Sequence, residues 1–78
     1  MSFVVISGSR CKWCMKAIDL LSRKGLDYKV IHASDEPWLK ELMAKANLKT
    51  VPQVFRPDGQ LIGGYEALEV YLGVNIDR

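Results

Sequence analysis

The sequence predicts an α/β fold with the order β-α-β-α-β-β-α: a four-stranded mixed sheet flanked by three helices. Three observations lead there. Short apolar or alternating stretches trade places with stretches in which apolar residues recur every three or four positions. Glycine and proline fall between these stretches, where the chain has to turn. The length, 78 residues, leaves room for a single domain over 1–78, since domains commonly run to about 100–150 residues.

Each element has its own signal. Phe3-Val4-Val5-Ile6 is an apolar run suited to a strand buried on both faces. Ser7-Gly8-Ser9 turns the chain. From Cys11 to Lys24, Cys14, Met15, Ile18 and Leu21 recur at helical spacing and are expected to form its apolar face. Gly25 supplies a left-handed stop after Arg23 and Lys24, cations suited to a helix C-terminus. Asp27 to His32 reads as a second strand, with Tyr28, Val30 and His32 on one side and Lys29 and Ile31 on the other. Ser34-Asp35-Glu36-Pro37 reads as a helix entrance, Ser34 being the cap and Pro37 tolerated in the first turn. Leu39, Leu42, Met43 and Ala46 then give the stripe of a helix ending near Asn47. Val54-Phe55-Arg56 and Leu61-Ile62 flank Pro57-Asp58-Gly59, a hairpin loop with glycine at the left-handed place. Gly63-Gly64 breaks the strand. Ala67, Leu68, Tyr71 and Leu72 form the stripe of a last helix that Gly73 closes, leaving a short polar tail. A β-α-β start makes the first two strands parallel with a right-handed crossover. The hairpin adds two antiparallel strands, and helices cover both faces.

Composition excludes several classes. Hydrophobic residues make up 49% and charged residues 26%, with a net charge of +2, which is a folding chain and not a disordered one. The longest apolar run is the four residues Phe3 to Ile6, against about 20 for a membrane span. That run also lacks the basic lead-in and length of a secretory signal, so a cytoplasmic location is expected. The small net charge gives no argument for nucleic acid.

Cys11 and Cys14 carry the functional message, for they are the only cysteines. A ring this small constrains an unfolded chain little, so a structural staple is a poor reading. Zinc wants four ligands, and only His32 offers a third, so no metal site is expected. What remains is redox chemistry, or two small residues packed as hydrophobes. The pair falls where the first strand hands over to the first helix. A thiol there meets unpaired amides and the positive end of the helix dipole, which favour thiolate. An ordinary cysteine pKa of about 8.5 can fall by several units in such motifs. Cys11, at the start and exposed, is the expected nucleophile. Cys14, one turn further in, is placed to attack a mixed disulfide formed at Cys11. Lys12 opposes the dipole; with Arg10 it serves the thiolate and an anionic substrate, or it is simply a solvated lysine. Trp13 reads as a docking aromatic. Asp19 and Arg23 form an i, i+4 pair of structural meaning only.

Cys11-Lys12-Trp13-Cys14 after a first strand, Thr50-Val51-Pro52-Gln53-Val54-Phe55, and Gly63-Gly64-Tyr65-Glu66 together resemble the glutaredoxins of the thioredoxin-fold superfamily. Val51 to Leu72, with Arg56-Pro57-Asp58-Gly59 in its turn, is especially similar to the small glutaredoxins of T-even bacteriophages. The resemblance implies a cis Val51–Pro52 bond facing the cysteines, and a Val51 backbone that pairs with the cysteinyl part of glutathione. It implies that backbone N–H groups of the Gly64-Tyr65-Glu66 turn hold the γ-glutamyl carboxylate at a helix N-terminus, with Thr50 and Trp13 lining the same groove; core packing is the other reading of Tyr65. It further implies a monomer that reduces disulfide-containing or glutathionylated proteins, ribonucleotide reductase among them. Glutathione is then a co-substrate, and no cofactor is tightly bound. A phage-encoded chain would work in the host cytoplasm.

The sequence departs from the family at three places. Lys12 and Trp13 stand where proline and tyrosine are common, and Glu66 where aspartate is usual. Gly8 occupies the position of a lysine that meets the glycyl carboxylate of glutathione, leaving Arg10, Lys12 or Lys49 to substitute. Two rivals therefore stay open: a thioredoxin-like carrier recharged by a flavoprotein reductase, and an iron–sulfur carrier in which two chains share a cluster through Cys11 and two glutathiones.

Overall fold

The computed structural model describes residues 2–48 and 50–73. Lys49 and the tail beyond Gly73 lie outside the described residues. Among those described, four strands and three α-helices follow the expected order: β1 Phe3–Ser7, α1 Lys12–Arg23, β2 Tyr28–His32, α2 Pro37–Lys45, β3 Gln53–Phe55, β4 Leu61–Gly63 and α3 Tyr65–Leu72. The sheet order is β2-β1-β3-β4. β1 runs parallel to β2, with Val5 opposite Val30, and antiparallel to β3, with Val5 opposite Val54. β3 and β4 form the antiparallel hairpin, with a register shift between Val54 and Phe55. This is the thioredoxin-like arrangement.

Because strand side chains alternate, β1 feeds two separate cores. Phe3 and Val5 point to one face, where they pack with Val54, Ala17 and Leu21 of α1, and Leu68 of α3. Ile6 points to the other, against Ala33, Leu39 and Met43 on the α2 side. Leu21 and Leu68 are fully buried, each such side chain stabilising by roughly 1.5–3 kcal/mol. Gly25 and Gly73 end α1 and α3 in the left-handed conformation, as their places in the sequence predict.

The predicted stripes need correction at their margins. Met15 is 67% exposed, whereas Cys14, Ala17 and Leu21 are buried. A helix turns about 100° per residue, so Ala17, Ile18 and Leu21 fall within roughly 60° of Cys14, while Met15 lies about 100° away. Leu42 and Tyr71 are about half exposed at the edges of their stripes, and Ala46, exposed, is the C-cap residue of α2. Tyr71 meets Phe3 edge-on at 6.2 Å and carries the Arg56 guanidinium over its outer face at 5.7 Å. The entrance to α2 also differs: Ala33–Asp35 form a 3₁₀ turn, and the N-cap is Glu36, not Ser34. Pro37 fixes that start, since its ring suits the first helical position.

Candidate active site

The end of β1 delivers the nucleophile. After Ser7 the chain passes Gly8 and Ser9 and reaches Arg10, whose φ of 54° lies in the left-handed region. Cys11 follows in extended conformation as the N-cap of α1. Its Sγ accepts the Cys14 amide at 3.1 Å, as a serine oxygen would in an ordinary cap. Its carbonyl accepts the Met15 amide at 3.3 Å. Cys11 is half-buried and Cys14 buried, and the two are joined as a disulfide.

A second loop closes over the pair. Val51–Pro52 is a cis peptide bond, and the Val51 carbonyl oxygen lies 3.7 Å from Cys11 Sγ. With the disulfide closed this is a contact; a reduced Cys11 thiol has a proton to donate there. Gln53, buried at the start of β3, braces the loop by donating from Nε2 to the Thr50 carbonyl at 2.9 Å and to Thr50 Oγ1 at 3.4 Å. The third segment is the entry to α3. Gly63 has φ +126°, and a Cβ there would stand 3.0 Å from Ala67 Cβ, so this corner needs glycine. Gly64 is the N-cap of α3.

These segments enclose a cleft of about 460 Å³ lined by Trp13, Thr50, Val51, Pro52, Gly64, Tyr65, Glu66 and Ala67. All seven residues expected to line a groove meet in it, although they come from three distant stretches of chain. Ala67 is the one that sequence reasoning assigned only to a core stripe; its place in the first turn of α3, after Glu66, is the signal that could have found it. Cys11 adjoins the cleft through Val51. Trp13 and Tyr65 have ring centroids 5.5 Å apart at 41°, and Lys16 Nζ sits 4.5 Å over the Trp13 ring. Tyr65 is therefore a wall of the cleft besides packing against the core.

Of the cations expected to replace the missing lysine, the two that the structure describes do not line the cleft. Arg10 and Lys12 are exposed and do not line it, and Lys49 lies outside the described residues. At Gly8 a Cβ would stand 2.9 Å from Val51 Cγ2, so any side chain there displaces Val51. His32 ends β2, exposed, opposite Ser7 in register. No helix among the described residues is long and apolar enough to cross a membrane.

A thioredoxin-like fold that presents a Cys-X-X-Cys pair at a helix N-terminus, beside a cis-proline loop, defines the class of thiol–disulfide redox proteins. Comparison with known proteins narrows this. Residues 3–62 match the Glutaredoxin family model, so the chain belongs to the glutaredoxin family. It is 40% identical over 53 residues to a glutaredoxin of Pseudomonas aeruginosa, covering 67% of this chain and 63% of that one. It is 36% identical over 70 residues to the hybrid peroxiredoxin hyPrx5 of Haemophilus influenzae, covering 90% of this chain and 29% of that one. The chain thus spans less than two thirds of the length of either relative. Among solved structures, the buckwheat glutaredoxin–glutathione complex superposes with a TM-score of 0.74 at 27% identity, covering 91% of this chain and 69% of that one.

Proposed function

We propose that the chain is a glutathione-dependent thiol–disulfide oxidoreductase acting through Cys11 and Cys14 as one domain over 1–78. The observation that carries this is the position of Cys11 Sγ. It caps α1, accepts the Cys14 amide, and adjoins the cleft through Val51. Negative charge on that sulfur is met by the amide and the dipole of α1.

In the reducing direction, the Cys11 thiolate attacks one sulfur of a substrate disulfide. A Cys11–substrate bond forms, the substrate S–S bond breaks, and the second substrate sulfur leaves as thiolate and takes up a proton. Cys14, after losing its proton, attacks Cys11 Sγ, expels the remaining substrate thiolate and closes the Cys11–Cys14 disulfide. Two glutathione thiols then reopen it, becoming glutathione disulfide.

In this reading Val51 pairs through its backbone with the cysteinyl part of glutathione. The backbone N–H groups of Gly64, Tyr65 and Glu66 hold the γ-glutamyl carboxylate at the start of α3. Thr50, Pro52 and Trp13 supply the walls. That the buckwheat relative is a glutathione complex supports the assignment. The substrates are disulfide-bearing or glutathionylated proteins, ribonucleotide reductase being the partner that the phage-like hairpin suggests. The chain works as a monomer in the cytoplasm, with glutathione as co-substrate and no tightly bound cofactor.

The test is turnover of a small disulfide with glutathione and glutathione reductase in one arm and thioredoxin reductase in the other. Turnover confined to the glutathione arm, lost in Cys11→Ser, is expected. Activity that persists in Cys14→Ser would mean that glutathione resolves the mixed disulfide itself. Turnover only with thioredoxin reductase would overturn the glutathione assignments and leave the dithiol chemistry standing. No turnover in either arm would favour a cluster carrier.

A further inference from the structure

The cleft accounts for the residues on one side of Cys11, and the residues that bracket it in sequence are left over. Arg10, Lys12 and Lys16 are all exposed, and from Ser2 to Ile18 the chain contains no aspartate or glutamate. Lys16 is engaged over the Trp13 ring. The side chains of Arg10 and Lys12 have no ion pair, hydrogen bond or ring contact among the described residues. Arg23 is paired with Asp19, and Arg56 with Asp58 and Gln60. Lys24, Lys29, Lys40 and Lys45 are also exposed without a side-chain partner among the described residues, so what sets Arg10 and Lys12 apart is that they flank Cys11 in a stretch without acids.

Both residues also stand against local preference. Arg10 holds a left-handed φ of 54° that glycine or asparagine would adopt more readily. Lys12 is the first residue of α1, where an acid suits the dipole and a cation opposes it. Two departures on either side of Cys11, with no compensation among the described residues, point to compensation from outside the chain. The apolar surface beside them is also open, Trp13 and Met15 both being exposed.

We propose that Arg10 and Lys12 are a recognition site for acidic residues flanking the disulfide of a protein substrate, so that the chain selects acidic segments. The proposal rests on the thiol–disulfide reading and adds the class of substrate to it. A carboxylate set against Arg10 or Lys12 pairs a cation otherwise left to solvent and brings the substrate sulfur to the intervening Cys11. Opposite charge at that point raises the rate of encounter, an effect that salt screens.

The probes are two peptides with the same internal disulfide, one flanked by aspartates and one by lysines. The fully reduced protein is mixed with each, without glutathione. Two protein thiols become the Cys11–Cys14 disulfide while each peptide disulfide becomes a dithiol, so electrons and protons balance with no other reagent. The readout is the ratio of second-order rate constants, acidic over basic, in which any change in Cys11 reactivity cancels. A ratio of about ten or more is expected when the ionic strength is on the order of 10 mM, falling towards one near 1 M as the screening length drops from about 30 to about 3 Å. Arg10→Glu and Lys12→Glu should each lower the ratio and together bring it below one, whereas Arg10→Lys with Lys12→Arg should keep it. Equal rates in the wild type, or a ratio unmoved by the charge reversals, would overturn the proposal and leave the redox reading intact. Reduction of neither peptide would overturn both.

Discussion

Gly8 offers a contest between two effects of known size. Its φ is not among the positive values in this chain, so alanine fits the backbone. Gly→Ala at such a site ordinarily stabilises by about 0.4–1 kcal/mol through the unfolded state. Against that, the new methyl would stand 2.9 Å from Val51 Cγ2. Val51 is stiff at χ1 and is packed on its other side against the cluster of Ile6, Leu39 and Met43. Overpacking of this kind costs about 1–3 kcal/mol, so Gly8→Ala should be destabilised by about 1 kcal/mol net. For a domain of this size that lowers Tm by roughly 4–8 °C. The assay is urea unfolding of the wild type, Gly8→Ala, Val51→Ala and the double variant, all in the disulfide form. Removing the Val51 methyls should restore the room, giving a favourable coupling of about 1 kcal/mol between the two sites. A Gly8→Ala protein as stable as the wild type, or strictly additive losses, would refute the reasoning. The same displacement moves the Val51 carbonyl, now 3.7 Å from Cys11 Sγ, so KM for glutathione should rise in Gly8→Ala more than kcat falls.

Two further substitutions test the backbone around the site. Arg10→Gly should stabilise the fold by about 0.5–1 kcal/mol in urea unfolding, because the left-handed conformation costs a side-chain-bearing residue about 1–2 kcal/mol and glycine's extra entropy returns part of it; a loss of stability would count against strain at Arg10. Gly63→Ala should lose at least about 2 kcal/mol, since it combines φ +126° with a 3.0 Å approach to Ala67 Cβ. An unchanged urea midpoint would mean that the β4–α3 corner relaxes freely.

The order of the elements was legible because punctuation and period agree almost everywhere. Gly25, Gly59 and Gly73 sit in the left-handed region where the turns and helix ends call for it, and β1 reads as buried because it is the inner strand between β2 and β3. The redox pair was legible because its location needs only a local inference from strand to helix. The cleft was not readable from spacing. Trp13, Thr50 and Tyr65 are joined by tertiary geometry, and only the resemblance to glutaredoxins brought them together beforehand. Met15 and Leu42 were misplaced because an apolar residue at the margin of a helical stripe satisfies the pattern without being covered. The tightness at Gly8 depends on a side chain 43 positions away, which no local rule can reach.

The separation of only three positions between Cys11 and Cys14 has a thermodynamic consequence. A covalent link between near neighbours restricts the unfolded chain by only about 2 kcal/mol, which leaves unfolded oxidised and unfolded reduced protein separated by a small, fixed offset. Two unfolding equilibria and two reduction equilibria then close a cycle. Whatever free energy distinguishes the unfolding of the dithiol from that of the disulfide is the free energy by which folding biases electron uptake, at about 1.4 kcal/mol for each 30 mV. In this chain the strength of the reductant is thus a folding quantity. It is set by how the capped Cys11, the Val51 carbonyl and the start of α1 receive one charge state of sulfur over another.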